Sequence, residues 1–187
     1  MLKLKKRGIN DTKKILVYGK DGTGKSVFAS NYCKKKGLTP LVIDIDDTNF
    51  TDDDIVDIQY GSDLKVFRDV KTVIEEVGKS DKYDTIILDG VSSLLEMLVS
   101  RDPGIKKYQV RKERFDQILE ALRKSGKHMI FIGQEDMKVI VNEESQTNKC
   151  IIKTNSMVNE KYHCYIDEGG RYKYTVEKFR EVKKDGE

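Results

Sequence analysis

Residues 14–28 read Lys-Ile-Leu-Val-Tyr-Gly-Lys-Asp-Gly-Thr-Gly-Lys-Ser-Val-Phe, and this stretch decides the fold. Within it, Gly19 is followed by four residues of any type and then by Gly24-Lys25-Ser26, which is the P-loop pattern. The apolar residues 15–18 predict a buried strand before the loop, and residues 26–35 predict a helix after it. The pattern therefore lies between a strand and a helix, which is the context that phosphate binding requires.

The chemistry of this stretch is anion binding. Its glycines allow backbone conformations in which successive N–H groups face a phosphate, and the helix that follows adds the positive end of its dipole. We expect Lys25 to reach the β and γ phosphates and the Ser26 hydroxyl to bind Mg²⁺. The residues expected to bind the nucleotide are Gly19, Lys20, Asp21, Gly22, Thr23, Gly24, Lys25, Ser26 and Val27.

Length and composition limit the remaining choices. The chain has 187 residues, of which 36% are charged and 37% hydrophobic, and this predicts a single domain over residues 1–187 with charged, frayed ends at 1–12 and 182–187. A net charge of +3 permits a nucleic-acid partner without requiring one. The three scattered cysteines lack disulfide or zinc spacing, so we expect free thiols in a reducing cytoplasm. The sequence predicts no membrane span and no secretion signal.

Polar side chains follow three further apolar runs, each of which predicts a buried strand. The second strand leads to Asp44 and Asp46, the third ends in Asp89, and the fourth leads to Gln134. The carboxyl ends of strands form the ligand-binding edge of an open α/β sheet, so we expect these side chains to face the P-loop.

Each of these polar residues has a candidate role. Asp89 has the form of the acid that holds Mg²⁺ opposite the P-loop hydroxyl. Gln134 is a candidate for sensing the γ phosphate or orienting the attacking water. The alternative for Gln134 is a strand that simply ends in polar residues. For the acids after the second strand, the alternatives are helix capping by Asp47 or Thr48, or a solvated loop that continues into residues 52–54.

The rest of the pattern completes a fold class. Residues 64–77 and 91–100 predict helices that cover the sheet, and residues 55–60 predict a short edge strand. Residues 136–157 are mostly polar and predict an irregular or hairpin excursion. Residues 162–176 predict a β-hairpin with a Gly-Gly turn. The sequence therefore predicts a three-layer α/β fold, with a mostly parallel sheet, helices on both faces and a C-terminal β-hairpin.

Residues 101–114 contain the densest basic cluster, and the Pro-Gly pair within them marks a loop. Basic residues interleaved with an aromatic ring suit contact with single-stranded nucleic acid, through phosphate charge and base stacking. The candidates are Lys106, Lys107, Tyr108 and Arg111. The alternative is the solvated start of the next helix.

The order of these signals resembles the RecA-type ATPase core and, more narrowly, the minimal RecA-like ATPases encoded by bacteriophages, some of which are single-strand annealing proteins. The resemblance covers residues 13–181, although only the P-loop is specific in itself. It implies an ATP- and Mg²⁺-dependent ATPase, stimulated by single-stranded DNA, with Lys25, Asp46, Asp89 and Gln134 as catalytic residues. Asp46 stands where the family has the glutamate that activates water, so its shorter side chain is a departure.

The resemblance also implies partners. The family binds DNA through two loops, which here are 101–114 and 136–150. Its members form rings or filaments with the nucleotide between subunits, and a basic residue of the neighbour completes the site. The candidates for that residue are Arg171, Lys173, Lys178 and Arg180.

Two other functions stay open. A shikimate-type kinase, acting on a small molecule, presents an acid pair after its second strand, which Asp44 and Asp46 resemble. A nucleotide-gated DNA-binding module would use ATP to set its assembly state with little turnover, and the short side chain of Asp46 keeps this reading open.

Overall fold

The computed structural model describes residues 12–48, 53–100, 106–137 and 146–179. The frayed ends predicted for the termini lie outside these ranges except for Thr12. Arg180 and parts of both predicted DNA-binding loops, residues 101–105 and 138–145, also lie outside them.

In the described part of the chain, seven strands form one sheet. Their bounds are Lys14–Tyr18 (β1), Pro40–Asp44 (β2), Asp54–Asp57 (β3), Thr85–Asp89 (β4), His128–Gly133 (β5), Glu160–Ile166 (β6) and Tyr172–Phe179 (β7). The order across the sheet is β3-β2-β4-β5-β1-β6-β7. Every neighbouring pair is parallel except β6 and β7, which form the antiparallel C-terminal hairpin. The predicted sheet and its hairpin are confirmed.

Helices cover both faces of the sheet, also as predicted. Their bounds are Lys25–Lys36 (α1), Asp63–Lys79 (α2), Val91–Met97 (α3), Lys107–Ser125 (α4) and Gln146–Met157 (α5). In the described part of the chain, α1 packs against one face, and α2 to α5 contribute buried side chains to the core on the other.

Burial on two faces explains the uninterrupted apolar runs of the central strands. In β1, Ile15 and Val17 pack on the α1 face, while Leu16 and Tyr18 pack in the larger core on the opposite face. Side chains alternate between the faces of a strand, so a strand that is covered on both sides needs apolar residues at every position.

Of the two interpretations left open for residues 101–114, the start of a helix is confirmed from Lys107 onward. One sequence prediction is wrong. The irregular excursion predicted for residues 136–157 ends in α5, where Cys150 and Thr154 are buried one turn apart and the Thr154 hydroxyl donates to the Cys150 carbonyl at 3.0 Å. Most residues of α5 are polar, so the sequence pattern did not reveal that a few of them are buried along one side of a helix.

Smaller predictions are confirmed or adjusted. The edge strand predicted for residues 55–60 is β3, which is shorter. All three cysteines are buried free thiols. None of the helices in the described ranges combines the length and the apolar character needed to cross a membrane.

Candidate functional site

The strand order brings three loops together at one edge of the sheet. Because β5 lies between β1 and β4, Gln134 emerges between the P-loop, which follows β1, and Asp89, which ends β4. All three strands are parallel, so these groups lie at the same carboxyl edge. The sequence predicted this convergence.

Close approach of the backbone requires glycine at the start of the P-loop. A Cβ atom on Gly19 would lie 2.2 Å from the carbonyl oxygen of Cys164 on β6, which is too close for any side chain. At the other end of the loop, Gly24 is left-handed, with φ 77°, and precedes the first residue of α1. Between them, the Thr23 hydroxyl donates to the Lys20 carbonyl at 2.7 Å and helps to hold the loop closed.

Ser26 and Asp89 form the core of the site. The Ser26 hydroxyl donates to Oδ2 of Asp89 at 2.8 Å, and the Asp89 side chain is only 2% exposed. Burial raises the pKa of Asp89 to about 6. Hydrogen bonds from Thr48 and Ser26 lower this pKa, whereas the negative charges of Asp44 and Asp46 raise it further.

The oxygens of Ser26 and Asp89 suit a small, hard cation. Mg²⁺ prefers oxygen ligands and usually binds through one or two protein groups together with waters and substrate phosphates. Within the described ranges, no cluster of three or more His, Cys, Asp or Glu side chains is arranged to hold a metal. Two protein oxygens leave the other positions around such an ion to water and to phosphate oxygens.

Thr48 is a site residue that the sequence analysis missed. Its hydroxyl donates to Oδ2 of Asp89 at 2.7 Å and lies 3.3 Å and 3.4 Å from the two carboxylate oxygens of Asp44. Asp44 is buried, and burial raises its pKa despite the hydrogen bonds it accepts from Thr48 and Asp46. The available signal was a hydroxyl residue that follows the acidic residue at the end of β2 by four positions.

Asp46 lies against the turn that follows β4. Gly90 is left-handed, with φ 90°, and a Cβ atom there would lie 2.7 Å from Cγ of Asp46. The Asp46 amide donates to Oδ1 of Asp44 at 3.1 Å, which ties this loop to the end of β2. Gly90 is therefore a second missed residue, because a larger side chain would displace Asp46.

Lys25 and Gln134 meet across the P-loop. The Lys25 ammonium donates to the Lys20 carbonyl at 2.9 Å and to Oε1 of Gln134 at 3.4 Å, while Nε2 of Gln134 donates to Oδ1 of Asp21 at 2.6 Å. Gln134 thus bridges a cation and an anion of the same loop. A phosphate bound in the loop would compete for both contacts.

Comparison with known proteins agrees with this geometry. Residues 11–186 match the family described as an AAA domain. The chain belongs to this AAA domain family. No protein with curated annotation matches its sequence.

Among solved structures, this AAA domain is similar to the KaiC-like protein PH0186 from the hyperthermophilic archaeon Pyrococcus horikoshii OT3. The two share 13% sequence identity with a TM-score of 0.58, over 90% of this chain and 80% of that one. The likeness concerns the fold and confirms the predicted RecA-like P-loop NTPase architecture. The narrower resemblance to phage annealing proteins stays a prediction.

The site of this AAA domain opens into a cavity of about 630 Å³. Most of the predicted nucleotide-binding and catalytic residues line it; these are Asp21, Gly22, Gly24, Lys25, Ser26, Val27, Asp46, Asp89 and Gln134. Gly19, Lys20 and Thr23 shape the loop without lining the cavity. Thr48, Tyr60 and Tyr172 line it too, and the sequence analysis assigned them no role there.

The residues predicted to bind DNA divide into two groups. Lys106, Lys107 and Tyr108 are exposed where α4 begins. Arg111 is buried, with its guanidinium 5.0 Å from the centre of the Tyr108 ring. The prediction that Arg111 lies in an accessible loop is therefore wrong, whereas the three exposed residues stay candidates.

Proposed function

We propose that this protein is an ATP- and Mg²⁺-dependent ATPase that binds single-stranded DNA and acts in phage-type recombination or annealing. The observation that carries the proposal is the 2.8 Å contact between the Ser26 hydroxyl and the Asp89 carboxylate, next to Lys25. Membership of the AAA domain family supports the ATPase part. The DNA part rests on the exposed basic residues at the start of α4 and on the resemblance in sequence.

The residues of the pocket divide the chemistry among them. The P-loop amides and Lys25 would bind the triphosphate. Ser26 and Asp89 would hold Mg²⁺, which when bound neutralises charge on the phosphates. Asp46, which lines the cavity, would orient or deprotonate the attacking water, because it stands where the ATPases that the sequence resembles have the glutamate that activates water.

Gln134 is suited to report whether the γ phosphate is present. In the structure it contacts Lys25 and Asp21 at once. A γ phosphate would draw Lys25 toward itself and repel Asp21, so both contacts of Gln134 would change together. The conformation of Gln134, directly after β5, would then differ between the ATP-bound and ADP-bound states.

The basic residues of α4 lie on the nucleotide side of the sheet. The helix has 19 residues and ends shortly before β5 begins at the opposite edge. Its length of about 28 Å exceeds that of a five-residue strand, about 16 Å, so its first turn reaches past the carboxyl edge. Lys106, Lys107 and Tyr108 would thus offer charge and a stacking surface to DNA near the ATP site.

We also propose a homo-oligomer, either a ring or a filament, located in the cytoplasm. A basic residue of a neighbouring subunit would complete the ATP site. Among the candidates, Arg171 is exposed but forms an ion pair with Asp167 at 3.1 Å, and Lys178 donates to the Asn155 carbonyl at 2.8 Å. Each would need to exchange a contact within its own chain for one across the interface.

The test is the rate of ATP hydrolysis with and without Mg²⁺ and with and without single-stranded DNA, using Lys25→Ala to measure contaminating activity. We expect Mg²⁺-dependent turnover that rises with DNA. Phosphoryl transfer to small hydroxylated acceptors without any response to DNA would favour the kinase. Tight ATP binding with negligible turnover would favour the nucleotide-gated module.

A further inference from the structure

We propose that Ser92 is a positioning residue for ATP hydrolysis, because it holds the backbone of Gln134 so that the Gln134 side chain faces the γ phosphate. The inference rests on the proposed function, in which Gln134 contacts or senses that phosphate. It adds to the reaction a residue that does not itself line the phosphate cavity.

The hydroxyl of Ser92 joins two segments of the site. Ser92 is the second residue of α3, which begins two residues after Asp89. Its oxygen accepts a hydrogen bond from the backbone amide of Gln134 at 3.1 Å, and its hydrogen is donated to Oδ1 of Asp136 at 2.7 Å. One side chain therefore connects the helix that follows the proposed metal ligand to the chain that leaves β5.

The end of the β4–β5 pairing explains why a hydroxyl is needed there. The Gly90 amide donates to the Ile132 carbonyl at 3.2 Å, which continues the parallel pairing past the last residue of β4. A regular parallel ladder would next join the Gln134 amide to the Gly90 carbonyl. That carbonyl instead accepts from the Leu94 amide at 2.8 Å, because α3 begins here. Ser92 supplies the acceptor that the half-buried Gln134 would otherwise lack.

The same segment is also held from the opposite side. Oε1 of Glu135 lies 2.7 Å from Nε2 of His163 on β6. The His163 ring stacks on Tyr18, the last residue of β1 before the P-loop, with ring centres 4.8 Å apart. The backbone around Gln134 is thus fixed between α3 and β6, so its side chain can exchange partners while its backbone stays in place.

A shift of this backbone would affect the rate more than the affinity for ATP. The Gln134 side chain reaches across the P-loop to Lys25 at 3.4 Å and to Asp21 at 2.6 Å, so its position follows directly from its backbone. Misplacement of a catalytic group by about 1 Å can cost roughly 100-fold in rate. Binding of the triphosphate depends instead on the P-loop amides and Lys25, which a substitution of Ser92 leaves in place.

The experiment measures single-turnover hydrolysis of ATP with Mg²⁺, and ATP affinity by calorimetry, on the full chain. The variants are Ser92→Ala, Ser92→Thr, Gln134→Ala and the double variant Ser92→Ala with Gln134→Ala. Asp136→Ala offers a second way to disturb the contact, because Asp136 is exposed and accepts the Ser92 hydroxyl. The matched control is Ser156→Ala, which removes an exposed hydroxyl that contacts only its own helix among the contacts described. Urea unfolding reports whether each variant folds.

We expect Ser92→Ala to lower the single-turnover rate by about tenfold or more and to keep ATP affinity within about threefold of wild type. Asp136→Ala should lower the rate in the same direction, while Ser92→Thr and Ser156→Ala should react as wild type. In the Gln134→Ala background, Ser92→Ala should lower the rate no further, because it acts through Gln134.

Three results would overturn the inference alone. These are an unchanged rate for Ser92→Ala and Asp136→Ala, an equal loss of rate and of ATP affinity, and the same loss of rate from Ser92→Ala whether or not Gln134 is present. Wild-type protein that binds or hydrolyses no ATP would overturn the proposed function itself.

Discussion

The hydroxyl of Thr48 donates a hydrogen bond of 2.7 Å to Oδ2 of Asp89. The same oxygen accepts a hydrogen bond from Ser26 at 2.8 Å, so the loop after β2 and the first turn of α1 both orient this carboxylate. Partners of this kind fix the direction of a metal ligand before the metal binds. We therefore propose that Thr48 positions Asp89 for the metal.

Thr48→Val should weaken the Mg²⁺-dependent part of ATP binding. Valine has nearly the shape of threonine but lacks the hydroxyl, so Asp89 would lose one of its two side-chain donors. Loss of such a partner typically lowers metal affinity by roughly 10- to 100-fold. The measurement is a calorimetric titration of ATP at a series of Mg²⁺ concentrations.

Thr48→Ser is the matched control, because it restores the hydroxyl and should bind as wild type. ATP binding in EDTA should be the same for all three proteins, since the P-loop amides and Lys25 are unchanged. If Thr48→Val kept the wild-type response to Mg²⁺, Thr48 would have no positioning role.

Asp89→Asn should stabilise the metal-free protein above pH 6. Because burial raises the pKa of Asp89 from 3.8 to about 6, the folded state keeps a proton that the unfolded state loses between these values. The free energy of unfolding of the wild type should therefore fall as the pH rises from 4 to 6, by up to about 3 kcal/mol, and asparagine removes this effect.

Urea unfolding in EDTA at pH 4, 5, 6 and 7 measures the effect directly. The variant and the wild type should be similar in stability near pH 4 and should diverge up to about pH 6. A difference that does not change with pH would contradict the raised pKa of Asp89.

Asp46→Asn should lower turnover and leave ATP affinity nearly unchanged. Asparagine keeps the size of the side chain beside Gly90 but removes its basicity, and loss of a general base typically costs roughly 100-fold or more in rate. Asp46→Glu should retain activity, because the RecA-like ATPases that this sequence resembles have glutamate at this position. Single-turnover hydrolysis measured beside ATP affinity separates these effects, and equal loss of both would argue for a structural role.

Lys106→Ala combined with Lys107→Ala should weaken binding of single-stranded DNA and flatten its salt dependence. Removal of two phosphate contacts should reduce the slope of log affinity against log salt by about 1.4. The control replaces Lys35 and Lys36, two exposed lysines in the last turn of α1 at the opposite edge of the sheet. If the slope changed equally in both double variants, the prediction that DNA binds at the start of α4 would be contradicted.

Local patterns in the sequence were enough to predict the frame of the site. The P-loop motif fixes a strand, a loop and a helix, and the apolar runs that end at Asp89 and Gln134 place polar groups at strand ends. The parallel sheet then brings them together, because neighbouring parallel strands end at the same edge. Burial on both faces made these strands easy to recognise.

The remaining features depend on contacts between distant segments. Thr48 gains its role from Asp89, which is 41 residues away, and Gly90 gains its role from Asp46. Arg111 is buried beside the ring of Tyr108, although a charged side chain is usually exposed. Packing of this kind leaves no periodic signal in the sequence.

The central claim is that the P-loop binds the triphosphate of ATP through Lys25. The most direct test is a titration of ATP with Mg²⁺ into wild type, Lys25→Ala and Lys36→Ala, where the last removes an exposed lysine in the last turn of α1, at the end of the helix away from the P-loop. We expect Lys25→Ala to lose at least about tenfold in affinity and Lys36→Ala to bind like wild type. Equal and tight binding by all three proteins would contradict the central claim.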